Sequence, residues 1–339
     1  MALPEFYRAP MIHHLAALFF LSVLSAAPVA ASFFDTFSLK PSTTADRSSQ
    51  ARNGVVLVAG GCTGTLISPN VILTVAHCVG LEARVPRPVV ARAPDCTGLD
   101  DQVALQRNAW EYPQVWYDTS WRVPVSFGPV RDMPEKVLFA SHYSLPRCAD
   151  LILLLLAEPA PRAIATPIPV LRVTSPEKVD ALLRYLPTAM LRYSGWGKLG
   201  NGLHTPTRKT GSLGYWSENR CSIFALPPSR GNGRRIMSGD SGSPLLVRQP
   251  DGTEAVVGVL FGSSVVDEET CGTPAPLPPR AHGTYTIVWR QGIDGTDATD
   301  IGAWLEQMVS DARGAMIKAA PEAALKKFLS HRITLRAER

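Results

Sequence analysis

The chain has 339 residues and a formal net charge of +5, a length that holds one large or two small domains. Hydrophobic residues make up 45% and charged residues 19%, which excludes a disordered chain, and the 26 glycines and 29 prolines follow no three-residue period, which excludes collagen. The mild charge excludes a nucleic-acid footprint: +4 of it falls in residues 311–339, leaving the body nearly neutral.

In chain order, residues 15–30 (LAALFFLSVLSAAPVA) form an uncharged apolar run, preceded by Arg8, His13 and His14 and followed by small residues. This order reads as a secretory signal peptide over 1–31, cut near Ala30 or Ala31. The run is shorter than the ~20 residues a spanning helix needs, so no stable membrane span is expected. The mature chain is expected to be secreted or periplasmic, where its six cysteines read as three disulfides. Residues 32–53 are Ser/Thr-rich and read as a leader or linker.

From Gly54 onward, short Val/Ile/Leu-rich runs are separated by Gly, Pro, Asn and Asp: VVLVA at 55–59, VILTVA at 71–76, LILLLL at 151–156, AVVGVLFG at 255–262 and TYTIVW at 284–289. Runs of this length and punctuation predict an all-β sandwich or barrel. Residues 80–135 hold three tryptophans and many prolines but few strand signals, and read as long loops. Helical periodicity stands out only in ATDIGAWLEQMV (298–309), where Ile301, Leu305 and Met308 share a face beside Trp304. The basic tail over 311–339 reads as a helical, solvated extension. No internal repeat is visible.

Three segments carry chemistry together: LTVAHC (73–78) with His77 beside Cys78, ADLILLLL (149–156) with Asp150 opening an apolar strand, and SGDSGSP (238–244) with Ser241 between glycines. A serine hydroxyl is a poor nucleophile near neutral pH and needs an adjacent imidazole to take its proton; a buried carboxylate fixes that imidazole's tautomer. Glycines around Ser241 let the N–H groups of Gly239 and Ser241 point at a developing oxyanion.

These motifs, in the order His, Asp, Ser, resemble the chymotrypsin/trypsin family of serine endopeptidases. The resemblance extends from about Gly54 to Val309 through GCTGTLISPNVILTVAHC, SGWG (194–197), HTPTRKTGSLGYWSENRC (204–221), HGTYTIV (282–288) and IGAWLEQMV. It implies an all-β fold of two six-stranded antiparallel Greek-key barrels with a C-terminal helix. The protease domain would span 54–310, with the first barrel at about 54–175, the second at about 185–296 and the helix at 298–309. It further implies His77 as general base and then acid, Asp150 as its orienting partner, Ser241 as nucleophile and Gly239 with Ser241 as oxyanion hole. A Cys62–Cys78 bridge is implied next to His77. Cys96, Cys148, Cys221 and Cys271 allow three pairings, of which 96–148 with 221–271 keeps each bridge within one barrel. A protein or peptide substrate, no cofactor, no metal, no nucleic acid and a monomeric state are expected. An acidic turn at Asp294, Asp297 and Asp300 reads as solvated rather than calcium-binding.

Several positions depart from the family pattern. No freed N-terminus of the Ile-Val-Gly-Gly type precedes Cys62 at a suitable distance, so Asp240 needs another cation, for which Arg192 or Arg235 is a candidate. Ser243 replaces a second glycine, a variant resembling the bacterial glutamyl-endopeptidase branch. Leu260 stands where a serine usually supports the carboxylate, and Met237 where a pocket-wall cysteine usually sits. The specificity pocket would lie at Arg235, Gly262 and Gly283. An Arg235 floor favours an acidic residue before the scissile bond, whereas a shifted loop register would turn Arg235 to solvent. A protease-like binding module without turnover is the alternative function.

Overall fold

The computed structural model describes residues 35–37, 54–79, 116–146, 149–173, 175–199, 201–219, 221–227, 236–265, 273–279, 281–289 and 301–313. The signal segment 1–31, the tail beyond 313, Arg235, Cys96, Cys148, Cys271 and the Asp294–Asp300 turn lie outside them.

The first barrel is built from β2 (Val55–Val58), β3 (Cys62–Ser68), β4 (Val71–Thr74), β5 (Tyr117–Phe127), β6 (Lys136–Ser144) and β7 (Ile152–Leu156). It closes in the order β2-β3-β4-β7-β6-β5. The second uses β9 (Leu191–Gly195), β10 (Lys209–Glu218), β11 (Ser222–Leu226), β12 (Pro244–Arg248), β13 (Glu254–Ser263) and β14 (Gly283–Ile287). Its order β13-β12-β9-β10-β11-β14 is closed by the β13–β14 pairing. Both barrels thus follow one path, a three-strand meander and then three strands returning in reverse order. The expected two-barrel, six-stranded antiparallel fold is present.

β7 shows why the apolar runs are continuous. Ile152, Leu154 and Leu156 point into the first barrel, while Leu151, Leu153 and Leu155 belong to a second cluster that includes Val256 and Val259 of β13 and Trp304. A strand covered on both faces has no solvent face to leave polar. The C-terminal helix α2 (Ile301–Arg313) supplies Ile301, Trp304, Leu305 and Met308 to that cluster, and the Trp304 Nε1–H donates to Ser144 Oγ at 3.1 Å.

Three elements differ from the sequence reading. β5 is an 11-residue strand inside the stretch read as loops. Val123, Val125 and Phe127 alternate inward, but Pro124 interrupts the pattern; lacking an N–H, it contributes its carbonyl, which accepts the Ala59 N–H at 2.9 Å. A helix, α1 (Pro176–Tyr185), connects the barrels; the Lys178 N–H donates to Ser175 Oγ, and Pro176 opens the first turn, the usual place for a missing N–H. Its apolar stripe is only Val179, Leu182 and the following Leu186, too short for a periodicity signal. The segment read as leader or linker supplies β1 (Asp35–Phe37), which pairs antiparallel with β8 (Val170–Arg172).

Trp304→Ala should lower the unfolding free energy by about 3–5 kcal/mol, the usual range for a buried Trp truncation. Trp304→Phe should cost less, and denaturant unfolding of both variants measures the difference.

Candidate active site

Strand register brings His77 and Asp150 together. β4 and β7 are antiparallel neighbours with Thr74 opposite Ile152, so the end of β4 and the start of β7 lie at the same rim. His77 sits on the 3-10 turn Ala76–Val79 just after β4, and Asp150 stands two residues before β7. His77 Nδ1 lies 2.5 Å from Asp150 Oδ2, and the His77 backbone N–H donates to Oδ1 at 3.0 Å. The carboxylate thus grips both ring and backbone of one residue. Its side chain is 1% exposed and that of His77 28%, so the imidazole keeps one side toward solvent. The Phe261 ring meets it edge-on with centroids 6.1 Å apart.

Ser241 reaches the same place from the second barrel, in the turn before β12. Its carbonyl accepts the Thr63 N–H at 2.9 Å, and Cys78 Sγ lies 3.8 Å from that carbonyl. Cys78 is bridged to Cys62, so the bridge joins the residue beside His77 to the residue beside Thr63, and both Cys78 and Thr63 contact the Ser241 carbonyl. Thr63 Oγ1 donates to Gly239 O at 3.1 Å and accepts the Trp196 N–H at 2.9 Å. The turn is compressed against β3: a methyl on Gly242 (φ +82°) would lie 2.0 Å from Thr63 O, and one on Gly239 (φ +88°) 2.6 Å from Gly61 O. Both positions therefore require glycine for conformation and for space. Among the described residues, no acceptor stands against the N–H of Gly239 or of Ser241.

Asp240 lies behind the turn and is fully buried. Its Oδ1 accepts the Gly197 N–H at 2.7 Å. Its Oδ2 accepts the Met237 N–H at 2.9 Å and the Lys209 ammonium at 2.5 Å. Burial pushes the Asp240 carboxyl above its usual range, against the pull of Lys209 and of these two N–H groups.

With this geometry the chain can be compared with known proteins. A family model described as Trypsin matches residues 42–104, a stretch that includes His77 and the Cys62–Cys78 bridge, and the two closed barrels supply the fold of that family. Over that stretch the chain is similar to the Trypsin family, and its fold is chymotrypsin-like. A search of curated proteins finds no match to it.

Within this trypsin-like frame the cation expected beside Asp240 is a different residue. Arg192 does not approach it but pairs with Glu254 at 2.6 Å. The reason is strand parity. Gly195 faces Asp240, and a residue three positions earlier on a strand points to the opposite face. Lys209, which faces Gly195 across the β9–β10 register, takes the role instead. The sequence offers no local cue for Lys209, since Arg208 beside it is equally basic and only register decides which one turns inward. Thr63 was also missed, because a threonine on a strand looks like ordinary strand composition.

The other expected positions stand as follows. Leu260 is buried in the second barrel's core and has no hydroxyl to offer. Ser243 is fully buried, and its Oγ has no protein partner. A methyl on Gly262 would meet nothing closer than Val265 Cγ2 at 3.5 Å, whereas one on Gly283 would lie 2.4 Å from Ile236 Cδ1; the space before Gly283 is filled by Ile236. Cys221 is disulfide-bonded, to a partner outside the described residues. Donor atoms of Cys62, His77 and Cys78 cluster within 4.8 Å, but both sulfurs are committed to their bridge and are not thiolate ligands.

Thr63→Val removes the hydroxyl while keeping the shape, leaving Gly239 O and the Trp196 N–H without their partner. It should lower stability by about 1–3 kcal/mol, measured by urea unfolding.

Proposed function

We propose that the chain is an exported serine endopeptidase acting through His77, Asp150 and Ser241. The observation that carries this reading is the double hold of the buried Asp150 on His77, at the rim where the Ser241 turn is stitched to β3. In this reading His77 takes the Ser241 Oγ proton as the oxygen attacks the scissile carbonyl. Asp150 holds the Nδ1–H tautomer and stabilises the imidazolium. The unpartnered N–H groups of Gly239 and Ser241 receive the developing oxyanion. His77 then protonates the leaving amine, and water activated by the same imidazole releases the acyl group. A protein or peptide substrate and a bacterial-type branch, the latter from Ser243 after GDSG, complete the assignment.

Export rests on the signal-like segment and on the bridged cysteines. Among the described residues no helix is long and apolar enough to cross a membrane.

Ser241→Ala should abolish peptide hydrolysis and labelling by a fluorophosphonate, with an unchanged melting temperature because the hydroxyl adds little packing. His77→Ala should be nearly as severe, since such groups act as a unit. Ordinary turnover in either variant removes the assignment, and a wild-type chain that is never labelled points to the binding-module alternative. Reduction of Cys62–Cys78 should lower activity before the fold melts, because the bridge pins the segment bearing His77; parallel activity and circular-dichroism measurements during reductant titration check this.

A further inference from the structure

We propose that Lys209 is a positioning residue that holds the nucleophile turn in its working shape, so that the site is competent in the uncut chain. The inference rests on the serine-endopeptidase reading and adds its mode of control.

Asp240 is the hinge of the turn: its N–H donates to Met237 O and its carbonyl accepts the Ser243 N–H, each at 2.9 Å. The carboxylate therefore sets the path of Gly239 and Ser241 on either side. It is fully buried, and an ionised group in such a place must be neutralised by a close partner or move. Lys209 provides that partner at 2.5 Å and is itself 4% exposed. The same ammonium donates to Lys198 O at 3.1 Å, and the Lys198 N–H donates to Ser238 O at 2.8 Å. One cation thus fastens the turn at Asp240 directly and at Ser238 through residue 198.

The space around the carboxylate is already full. A methyl on Gly195 would lie 2.5 Å from Asp240 Oδ1, and one on Gly197 would lie 2.3 Å from its Cγ. A second ammonium, such as a chain terminus freed by cleavage, would have to displace Lys209 or share a dry site with a like charge. Lys209 is moreover the first residue of a barrel strand with a defined register, so its position is available as soon as the barrel folds. A charge anchored on a strand is held more closely than one on a mobile end. The cation that builds the turn therefore needs no proteolytic event to arrive.

The test begins with the full chain isolated uncut between residues 32 and 61, as verified by N-terminal sequencing, and titrated with a fluorophosphonate. Stoichiometric labelling at a rate unchanged by later limited proteolysis is expected. Labelling that appears only after a cut in that stretch overturns the inference while leaving the Ser241 chemistry intact; no labelling before or after cutting overturns the endopeptidase reading and the inference with it. In Lys209→Met, kcat should fall by about 10²-fold, the scale of losing one oxyanion donor, with KM little changed. Lys209→Met/Asp240→Asn, which leaves no buried charge, should recover part of that kcat. Wild-type kcat in the single variant, or a double variant no better than the single one, overturns the proposal. The labelling experiment needs no substitution and decides the matter if Lys209→Met fails to fold.

Discussion

Much of the second barrel's inner geometry depends on one buried charge. A carboxylate with no solvent contact must be surrounded by donors, and Asp240 collects a lysine ammonium and two backbone N–H groups. Each donor constrains something else. The Gly197 N–H can approach only because residues 195 and 197 have no side chain, which accounts for the glycines on either side of Trp196. Lys209 reaches the carboxylate because β10 pairs with β9 in one register; a slip of one residue would turn Arg208 inward and Lys209 out. The Met237 N–H fastens the start of the Ser241 turn to the same carboxylate.

The two barrels share a strand order without a visible sequence repeat. Barrel closure constrains only which positions face inward, and many apolar residues satisfy that constraint. The two barrels also contribute different parts of the candidate site. The first barrel contributes the His77–Asp150 pair through the β4–β7 register, and the second contributes the Ser241 turn. Thr63 joins them: its N–H, hydroxyl and carbonyl contact Ser241, Gly239 with Trp196, and Thr74, respectively. Arg131 adds a second joint by donating to Gly60 O at 2.8 Å and to the carbonyls of Thr205 and Trp196. A short turn of the first barrel is thereby tied to the second barrel next to the Ser241 turn.

What could be read from sequence followed how local each signal was. His77 with Cys78, Asp150 before its apolar run and the GDSG turn are compact motifs whose residue types are dictated by chemistry within a few bonds. The strands β4, β7 and β13 were legible because burial on both faces leaves a nearly unbroken apolar run. β5 was not, since Pro124 breaks a pattern that the barrel tolerates by using only the proline carbonyl. α1 was not, because ten residues with two buried apolar positions give too short a stripe.

The sequence by itself determined the class of the fold, the closure of Cys62 on Cys78 through the resemblance, and the need for a cation beside Asp240. That need came through the resemblance as well, which implies a buried acid beside the nucleophile position and offers no freed N-terminus to pair with it. Which cation answers it was decided only by tertiary structure. Arg192 lies before the SGWG motif but stands on the wrong face of its strand, whereas Lys209, 31 residues from Asp240, meets it because the β9–β10 register sets it opposite Gly195. Side-chain direction on a strand alternates with every residue, and the choice between neighbours such as Arg208 and Lys209 is made by pairing with another strand, which no local stretch of sequence encodes.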